Sequence, residues 1–258
     1  MLSLYLFWAI PSLMPFTPPI PIKEKARRLY NLMEDLPEDS VILYIYNTYP
    51  GLEPTCKGAT TAFLNHAFSK GAKIIAVAFH VLGPVMYERH SPGLWDDYEY
   101  GVDYVWLPYI AGRETGMASL LSSFRATTTT DFFGTSLDSI PLLENIDSAA
   151  DIDLVAGLES DLSFGIGWIR QIYTTHGVEI AMIGGWAAME PYYPDQISAM
   201  LFPLPGAAAE YEALLNAPGD ASKQLAILYV GALFYAVFIL IGGNTVNILY
   251  QIFKKEKT

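Results

Sequence analysis

The sequence predicts an α/β protein: a doubly wound, mostly parallel sheet of about five strands, with a C-terminal transmembrane helix and a short apolar N-terminal segment. Short runs rich in β-branched residues alternate with helical stretches, which is typical of parallel sheets with right-handed crossovers. A long uncharged run lies near the C-terminus. Hydrophobic residues make up 52% and charged residues only 16% of the chain, against about 25% charged in an average soluble domain.

The five predicted strands are short and apolar. The first, residues 41–47, reads V-I-L-Y-I-Y-N without a polar residue before its last position. A continuous apolar run of this length is expected for a central parallel strand that is covered on both faces. The predicted strands are residues 41–47, 73–79, 104–107, 152–156 and 178–183.

The predicted helices fill the gaps between these strands. Residues 56–70 end at Gly71, a usual C-terminal stop, and residues 205–216 begin with Pro205, which suits the first turn of a helix. The pair Pro92-Gly93 is expected to interrupt the helix over residues 83–100. The predicted helices are residues 23–36, 56–70, 83–100, 114–124, 164–175 and 205–216, with a polar loop over residues 127–140.

The C-terminal run predicts a membrane helix. Residues 224–253 carry no formal charge, and lysines bracket the run at Lys223 and at Lys254. A helix of this length measures about 45 Å, against a hydrocarbon core of about 30 Å. The alternative is a helix buried in the core of the protein. A core helix of this length, however, is rarely apolar all round.

The N-terminal region is also apolar but is broken by proline. Residues 1–22 have no charged side chain and contain five prolines, so they predict a membrane-associated segment, with a hydrophobic arm packed on the domain as the alternative. The predicted organisation is residues 1–22 as this segment, 23–220 as an acidic α/β domain, 223–253 as the transmembrane helix and 254–258 as a basic tail.

The charge distribution excludes a nucleic-acid binder. The net charge is −12, and the 7 basic and 25 acidic residues of positions 29–222 make the central region more acidic than the chain as a whole. Phosphate backbones require clustered Lys and Arg. The single cysteine, Cys56, also excludes an intrachain disulfide framework and a multi-cysteine metal site.

The ends of the predicted strands form a candidate ligand site. In open α/β sheets ligands bind beyond the C-terminal ends of the strands. Ordinary loop polarity is the alternative. The candidate residues are Asn47, Thr48, His80, Tyr109, Glu159, Ser160, Gly184, Gly185 and Trp186.

Motifs that would identify a cofactor or a reaction are missing. The first strand leads into N-T-Y-P-G-L-E-P, where two prolines and Glu53 replace the glycine-rich turn that cradles phosphate. None of the four histidines has a partner at a metal-binding spacing, and no nucleophile elbow G-x-S-x-G occurs. The sequence therefore predicts no cofactor, no metal and no catalytic residues, and it favours a non-enzyme.

The predicted membrane helix carries a pattern of its own. Asn244, Asn247 and Gln251 fall on one helical face, and Ala232 and Ala236 form a small-xxx-small pair. Amides hydrogen-bond across helices in a bilayer, and small residues allow close helix approach. These five residues are the predicted helix contacts. The alternative is that the amides lie among lipid headgroups.

Seven segments of the chain carry a resemblance to known sequences. They are L-P-E-D-S-V-I-L (36–43), K-G-A-K-I-I-A-V (70–77), Y-G-V-D-Y-V-W-L-P-Y (100–109), D-F-F-G-T-S-L-D-S-I-P (131–141), D-I-D-L-V (151–155), H-G-V-E-I-A (176–181) and P-G-A-A-A-E-Y-E (205–212). Through them the chain resembles an uncharacterised family of prokaryotic membrane-anchored α/β proteins with a Rossmann-like fold. The resemblance covers about two-thirds of the chain and implies no established activity. It does imply a membrane anchor and an extracytoplasmic domain.

Together these features predict a non-enzymatic subunit of a membrane-attached assembly. Its expected partners are the lipid bilayer and either further copies of the chain or another membrane protein. Counting basic residues on the two sides of the helix slightly favours a cytoplasmic domain, whereas the resemblance favours an extracytoplasmic one, which we expect. The alternative function is a small-molecule-binding or hydrolytic domain with its site at the strand ends.

Overall fold

The computed structural model describes residues 19–90, 93–183, 196–201 and 205–255. Its strands are β1 (Val41–Asn47), β2 (Lys73–Ala78), β3 (Tyr104–Tyr109), β4 (Leu154–Glu159), β5 (Glu179–Ile183) and β6 (Ala199–Leu201). They form one sheet in the order β3-β2-β1-β4-β5-β6. Every pairing between neighbours is parallel.

Helices cover both faces of this sheet. The described α-helices, of which α9 does not pack on the sheet, are α1 (Glu24–Asp35), α2 (Glu53–Ser69), α3 (Gly83–His90), α4 (Glu114–Ser122), α5 (Phe124–Thr127), α6 (Leu162–Trp168), α7 (Pro205–Leu214), α8 (Asp220–Leu225) and α9 (Ala232–Lys255). A π-helical turn extends α6 over Ile169–Thr174, and a second one joins α8 to α9 over Ala226–Gly231.

The side chains of β1 point alternately to the two faces of the sheet and so belong to two separate layers of the core. Tyr44 and Tyr46 face a layer that includes side chains of α1, α2, α3 and α7. Leu43 and Ile45 face the other layer, which includes side chains of α4 and α6. Because both faces of the sheet are covered, neither face of the strand is in contact with water, which explains its continuous apolar sequence.

The predicted doubly wound α/β architecture is confirmed, with three differences. The fourth strand, predicted over residues 152–156, runs over Leu154–Glu159. The sheet has a sixth strand, β6, whose three residues are too few to show a periodic pattern. The helix predicted over residues 83–100, with an interruption near Pro92-Gly93, ends at His90, and no helix resumes over residues 93–100. The residue before a proline is disfavoured in the helical conformation, and Pro92 lies two positions after His90.

A carboxylate from α7 caps the N-terminus of α8, the first of the two C-terminal helices. Glu212 on α7 is buried, and its carboxylate accepts backbone N–H groups of Gly219, Ala221 and Ser222 at 2.7–3.0 Å. These are donors at the start of α8, where a helix has no partners of its own. No helix among the described residues has both the length and the apolar content of a membrane span.

The predicted N-terminal segment is described only at its end. Residues 1–18 lie outside the described part of the chain. Ile20 and Ile22 are partly buried and pack against the layer that contains Tyr44.

Candidate functional site

The order of the strands reverses between β1 and β4, which lie side by side at the centre of the sheet. The chain builds outwards from β1 to β3 on one side and from β4 to β6 on the other. In doubly wound sheets, the crevice for ligands opens at such a switch point, beyond the carboxyl ends of the strands. Asn47 and Glu159 are the last residues of these two strands and are paired in register.

Glu159 is buried at this switch point, and its carboxylate accepts three hydrogen bonds from the protein. Asn47 Nδ2 and Trp168 Nε1 each donate to Oε2 over 3.0 Å. The backbone N–H of Asp161 donates to Oε1 over 2.8 Å. The side chain is only 3% exposed, so its acceptor positions are directed into the protein.

Asn47 extends this network to a third strand end. Its Oδ1 accepts the backbone N–H of Phe79, which follows β2, over 2.9 Å. Its carbonyl oxygen accepts both the N–H and the hydroxyl of Ser160, at 3.1 and 2.8 Å. The two side chains of Asn47 and Glu159 therefore hold the ends of β2, β1 and β4 together.

The carboxyl of Glu159 holds its proton more tightly than an ordinary glutamate. Burial, which disfavours the charged form, raises its pKa to about 7. The hydrogen bonds from Asn47, Asp161 and Trp168 oppose this rise because they stabilise the charged form. Glu159 therefore titrates near neutral pH, as acid–base groups in active sites do. Its hydrogen bonds, however, join the strand ends to each other, which is a structural role.

An ion pair lies next to the carboxyl end of β4. Arg113 and Asp161 are joined by a hydrogen bond of 2.5 Å, and the guanidinium carbon lies 5.3 Å from the centroid of the Phe164 ring. Arg113 has φ = 53°, a conformation that residues other than glycine rarely adopt. It is the residue immediately before α4.

Two other candidate residues lie near the switch point. The Thr48 hydroxyl is buried and has no hydrogen-bond partner within the described ranges, and its residue is 1% exposed. The Nδ1 atom of His80 accepts the backbone N–H of Leu82 at 3.3 Å, and its ring lies 6.2 Å from that of Tyr49.

Tyr109 belongs to a different place. It ends β3, which is three strand positions from β4, or roughly 14 Å at about 4.8 Å per strand. There it lines a cavity of about 450 Å³ with residues of α4 and α5, among them Thr115, Ser119 and Thr127. The candidate residues therefore do not form a single pocket. Gly184, Gly185 and Trp186 lie outside the described residues.

Sequence reasoning missed Arg113 and Trp168. Nothing in the local sequence marks Arg113, because its role depends on the position of the loop after β4. Trp168 lies on α6 directly after β4, and its buried indole N–H needs an acceptor. From this requirement, the nearby Glu159 could have been proposed as the acceptor of that N–H.

The predicted helix contacts are exposed where they are described. Ala232, Ala236, Asn244 and Asn247 are all exposed on α9. The side chain of Gln251 lies outside the described residues. Among the residues that the structure describes, no group of three His, Cys, Asp or Glu side chains could hold a metal ion.

Comparison with known proteins finds no matching family model, no matching curated protein and no matching solved structure. The resemblance to membrane-anchored α/β proteins therefore stays a prediction.

Proposed function

We propose that this protein is a membrane-attached, non-enzymatic subunit of an assembly, held by its C-terminal helix and carrying its α/β domain on the extracytoplasmic face. The exposure of apolar side chains on every side of α9 carries the proposal. The consecutive residues Val237, Phe238, Ile239, Leu240 and Ile241 are between 43% and 65% exposed. Five consecutive residues pass through more than one helical turn of about 3.6 residues.

A lipid bilayer suits this surface better than a single protein partner. Exposed apolar area costs about 25 cal/mol per Å² in water, so a helix that exposes it all round is strongly driven into an apolar medium. A partner helix covers one face only. A bilayer surrounds the helix and solvates every side.

The apolar run passes from one helical element into the next. The π-helical turn and α9 have 6 and 24 residues and follow one another without a break. Leu228 and Tyr229 in the turn are 56% and 68% exposed. Neither element therefore contains the whole apolar run, and the proposed membrane segment comprises both.

The contacts of Glu159 support a non-enzymatic role. A general base must reach a proton on its substrate with a free acceptor position. Three protein donors bind the carboxylate of Glu159, and the residue is only 3% exposed, so a substrate has little access to its oxygens. Glu159 has the pKa best suited to acid–base catalysis near the switch point, but its carboxylate is used to hold the strand ends together.

The proposed partners are lipid and either further copies of the chain or another membrane protein. Asn244 and Asn247 are three residues apart, so they lie on one face of α9. In an apolar medium an amide gains by hydrogen bonding to a neighbouring helix. The extracytoplasmic placement rests on the resemblance in sequence, which we weigh above the count of basic residues on the two sides of the helix.

Membrane attachment is tested by fractionation of cells that express the full chain. The parent should remain with membranes after an alkaline wash, and the triple variant Ile239→Lys, Leu240→Lys, Ile241→Lys should be released. Phe133→Lys is a matched control, because Phe133 is 60% exposed on the domain and should not affect attachment. A parent that washes off the membrane would contradict the proposal.

Orientation is tested with protease and right-side-out vesicles that contain a C-terminally tagged chain. If the domain is extracytoplasmic, protease should digest the domain and leave the tag after α9 protected. A protected domain with a cleaved tag would place the domain on the other side.

A second candidate function is supported by the switch point. The Thr48 hydroxyl, which is buried and has no partner among the residues that the structure describes, follows Asn47 at the reversal of the strand order. Small ligands bind there in this class of sheet. The test is a thermal-shift screen with mononucleotides and dinucleotides on the parent and on Thr48→Val. A stabilisation that is lost in the variant would favour this function, and unchanged melting would favour the first.

A further inference from the structure

On one face of the sheet lie several buried polar atoms that have no hydrogen-bond partner in the described part of the chain. They are Tyr46 Oη, both ring nitrogens of His90, Trp95 Nε1 and Trp106 Nε1. Their residues are 0%, 0%, 3% and 7% exposed. We call these four residues the polar aromatic cluster. In native proteins most buried polar atoms have a partner in the protein or an ordered water.

Ring contacts connect the members of the cluster. The Tyr46 ring lies 5.7 Å from the ring of His90 and 5.1 Å from the ring of Tyr87. The ring of Tyr87 lies 5.6 Å from that of Trp106, which in turn lies 5.8 Å from Trp95. The unpartnered atoms therefore belong to one continuous region between α3 and the strands β1 and β3.

The chemistry of the cluster fits water better than an ion. The two indoles only donate hydrogen bonds, the phenol donates and accepts, and a neutral imidazole has one nitrogen of each kind. Burial lowers the pKa of His90 to about 4, so its ring is neutral near pH 7. Indoles and a neutral phenol do not bind metal ions, and no member of the cluster carries a charge at that pH.

A buried water molecule needs two to four polar partners, which an isolated buried group cannot supply. The four residues, whose two pairs are joined through the ring of Tyr87, supply both donors and acceptors. We propose that the polar aromatic cluster is a hydrated site in which ordered water bridges Tyr46, His90, Trp95 and Trp106.

Two neighbouring tyrosines provide a matched test. Tyr44 and Tyr46 both lie on β1, face the same layer and are 0% exposed. The hydroxyl of Tyr44 donates to Thr60 Oγ1 over 3.1 Å, whereas that of Tyr46 has no partner among the described residues. If the cluster were dry, Tyr46→Phe would remove an unsatisfied group and raise the melting temperature. If water is bound, Tyr46→Phe takes away a hydrogen bond, as Tyr44→Phe does.

We expect both variants to melt lower than the parent, each by about 3 °C for a loss typical of one hydrogen bond in a protein of this size. An unchanged or higher melting temperature for Tyr46→Phe would overturn the proposal, and Tyr44→Phe calibrates the loss of a satisfied hydroxyl. In the parent, the indole N–H protons of Trp95 and Trp106 should show direct nuclear Overhauser contacts with long-lived water. Absence of these contacts would overturn the proposal even if the variants do not fold.

Discussion

The side chains of Glu159 and His90 are buried on opposite faces of the sheet, where Glu159 is hydrogen-bonded to Trp168 and His90 lies against Tyr46. Burial raises the pKa of Glu159 to about 7 and lowers the pKa of His90 to about 4. Both residues are neutral in the pH range between these two values. Their effects on stability have opposite signs.

The signs follow from the pKa values of the unfolded chain, 4.5 for Glu159 and 6.5 for His90. The favourable contribution of Glu159 to the free energy of unfolding is full below pH 4.5. It is lost as the pH rises through 7, because the folded protein binds the proton more tightly than the unfolded chain does. The contribution of His90 is full above pH 6.5 and is lost as the pH falls through 4. Between about pH 4.5 and 6.5 the two effects oppose each other.

Glu159→Gln should remove one of these effects. Relative to the parent, the variant should gain about 3 kcal/mol of unfolding free energy between pH 4.5 and 8, since it has no carboxyl to ionise. Its amide N–H groups face protein donors, so it should also be destabilised by an amount that does not change with pH. Urea unfolding at several pH values measures the slope. Parallel curves for parent and variant would contradict this prediction.

His90→Phe should change the slope in the other direction. The variant cannot be protonated at this position, so relative to the parent it should gain about 3 kcal/mol as the pH falls from 7 to 4. The same urea series measures it, and His176→Phe, at an exposed position, is the control. A difference from the parent that is constant with pH would show that His90 does not titrate as described.

The sequence predicted the bounds of β1 and named Asn47 and Glu159 among the residues near the strand ends, because both follow local apolar runs. That the two side chains meet depends on the adjacency of β1 and β4. The sequence could not predict that Asp161 and Trp168 occupy the carboxylate, since those hydrogen bonds depend on how the loop and α6 pack. The separation of Tyr109 from the switch point also could not be predicted. It follows from the strand order, which places β2 and β1 between β3 and β4, and no local pattern encodes that order.

Gly157→Ala should prevent β4 from packing beside β1. Gly157 has φ = +145°, and a Cβ atom there would lie 2.2 Å from the carbonyl oxygen and 2.5 Å from the nitrogen of Ile45. Backbone cannot move aside at the centre of the sheet, so we expect a loss of more than about 3 kcal/mol or failure to fold. Circular dichroism and urea unfolding measure this.

Gly134→Ala is the matched control for that variant. Gly134 also has a positive φ, +88°, but nothing lies within 4 Å of a Cβ atom placed there. Only the backbone conformation opposes the change, at about 1–2 kcal/mol. If both variants lost the same free energy, close packing against Ile45 would not be the reason that position 157 is glycine.

Glu212→Ala should weaken the joint between the domain and α8. The substitution leaves the N–H groups of Gly219, Ala221 and Ser222 without their acceptor, at a cost of about 2–4 kcal/mol. Limited proteolysis in detergent should then cut sooner between α7 and α8, and the unfolding free energy should fall. Glu144→Ala, at an exposed position, is the control and should leave both measurements unchanged.

The last prediction concerns association through α9. Replacing Asn244, Asn247 and Gln251 together with Leu should weaken the oligomer or complex without unfolding the domain. Each interhelical hydrogen bond in a bilayer contributes about 0.6 kcal/mol, so three contribute roughly 2 kcal/mol, or about thirty-fold in an equilibrium constant. Native gels in mild detergent across a dilution series measure the size. Thr245→Leu is the control, because its hydroxyl donates to the Ile241 carbonyl within the same helix over 2.8 Å. If the triple variant runs at the parent's size at every dilution, the amides do not contact a partner and lie among lipid headgroups instead.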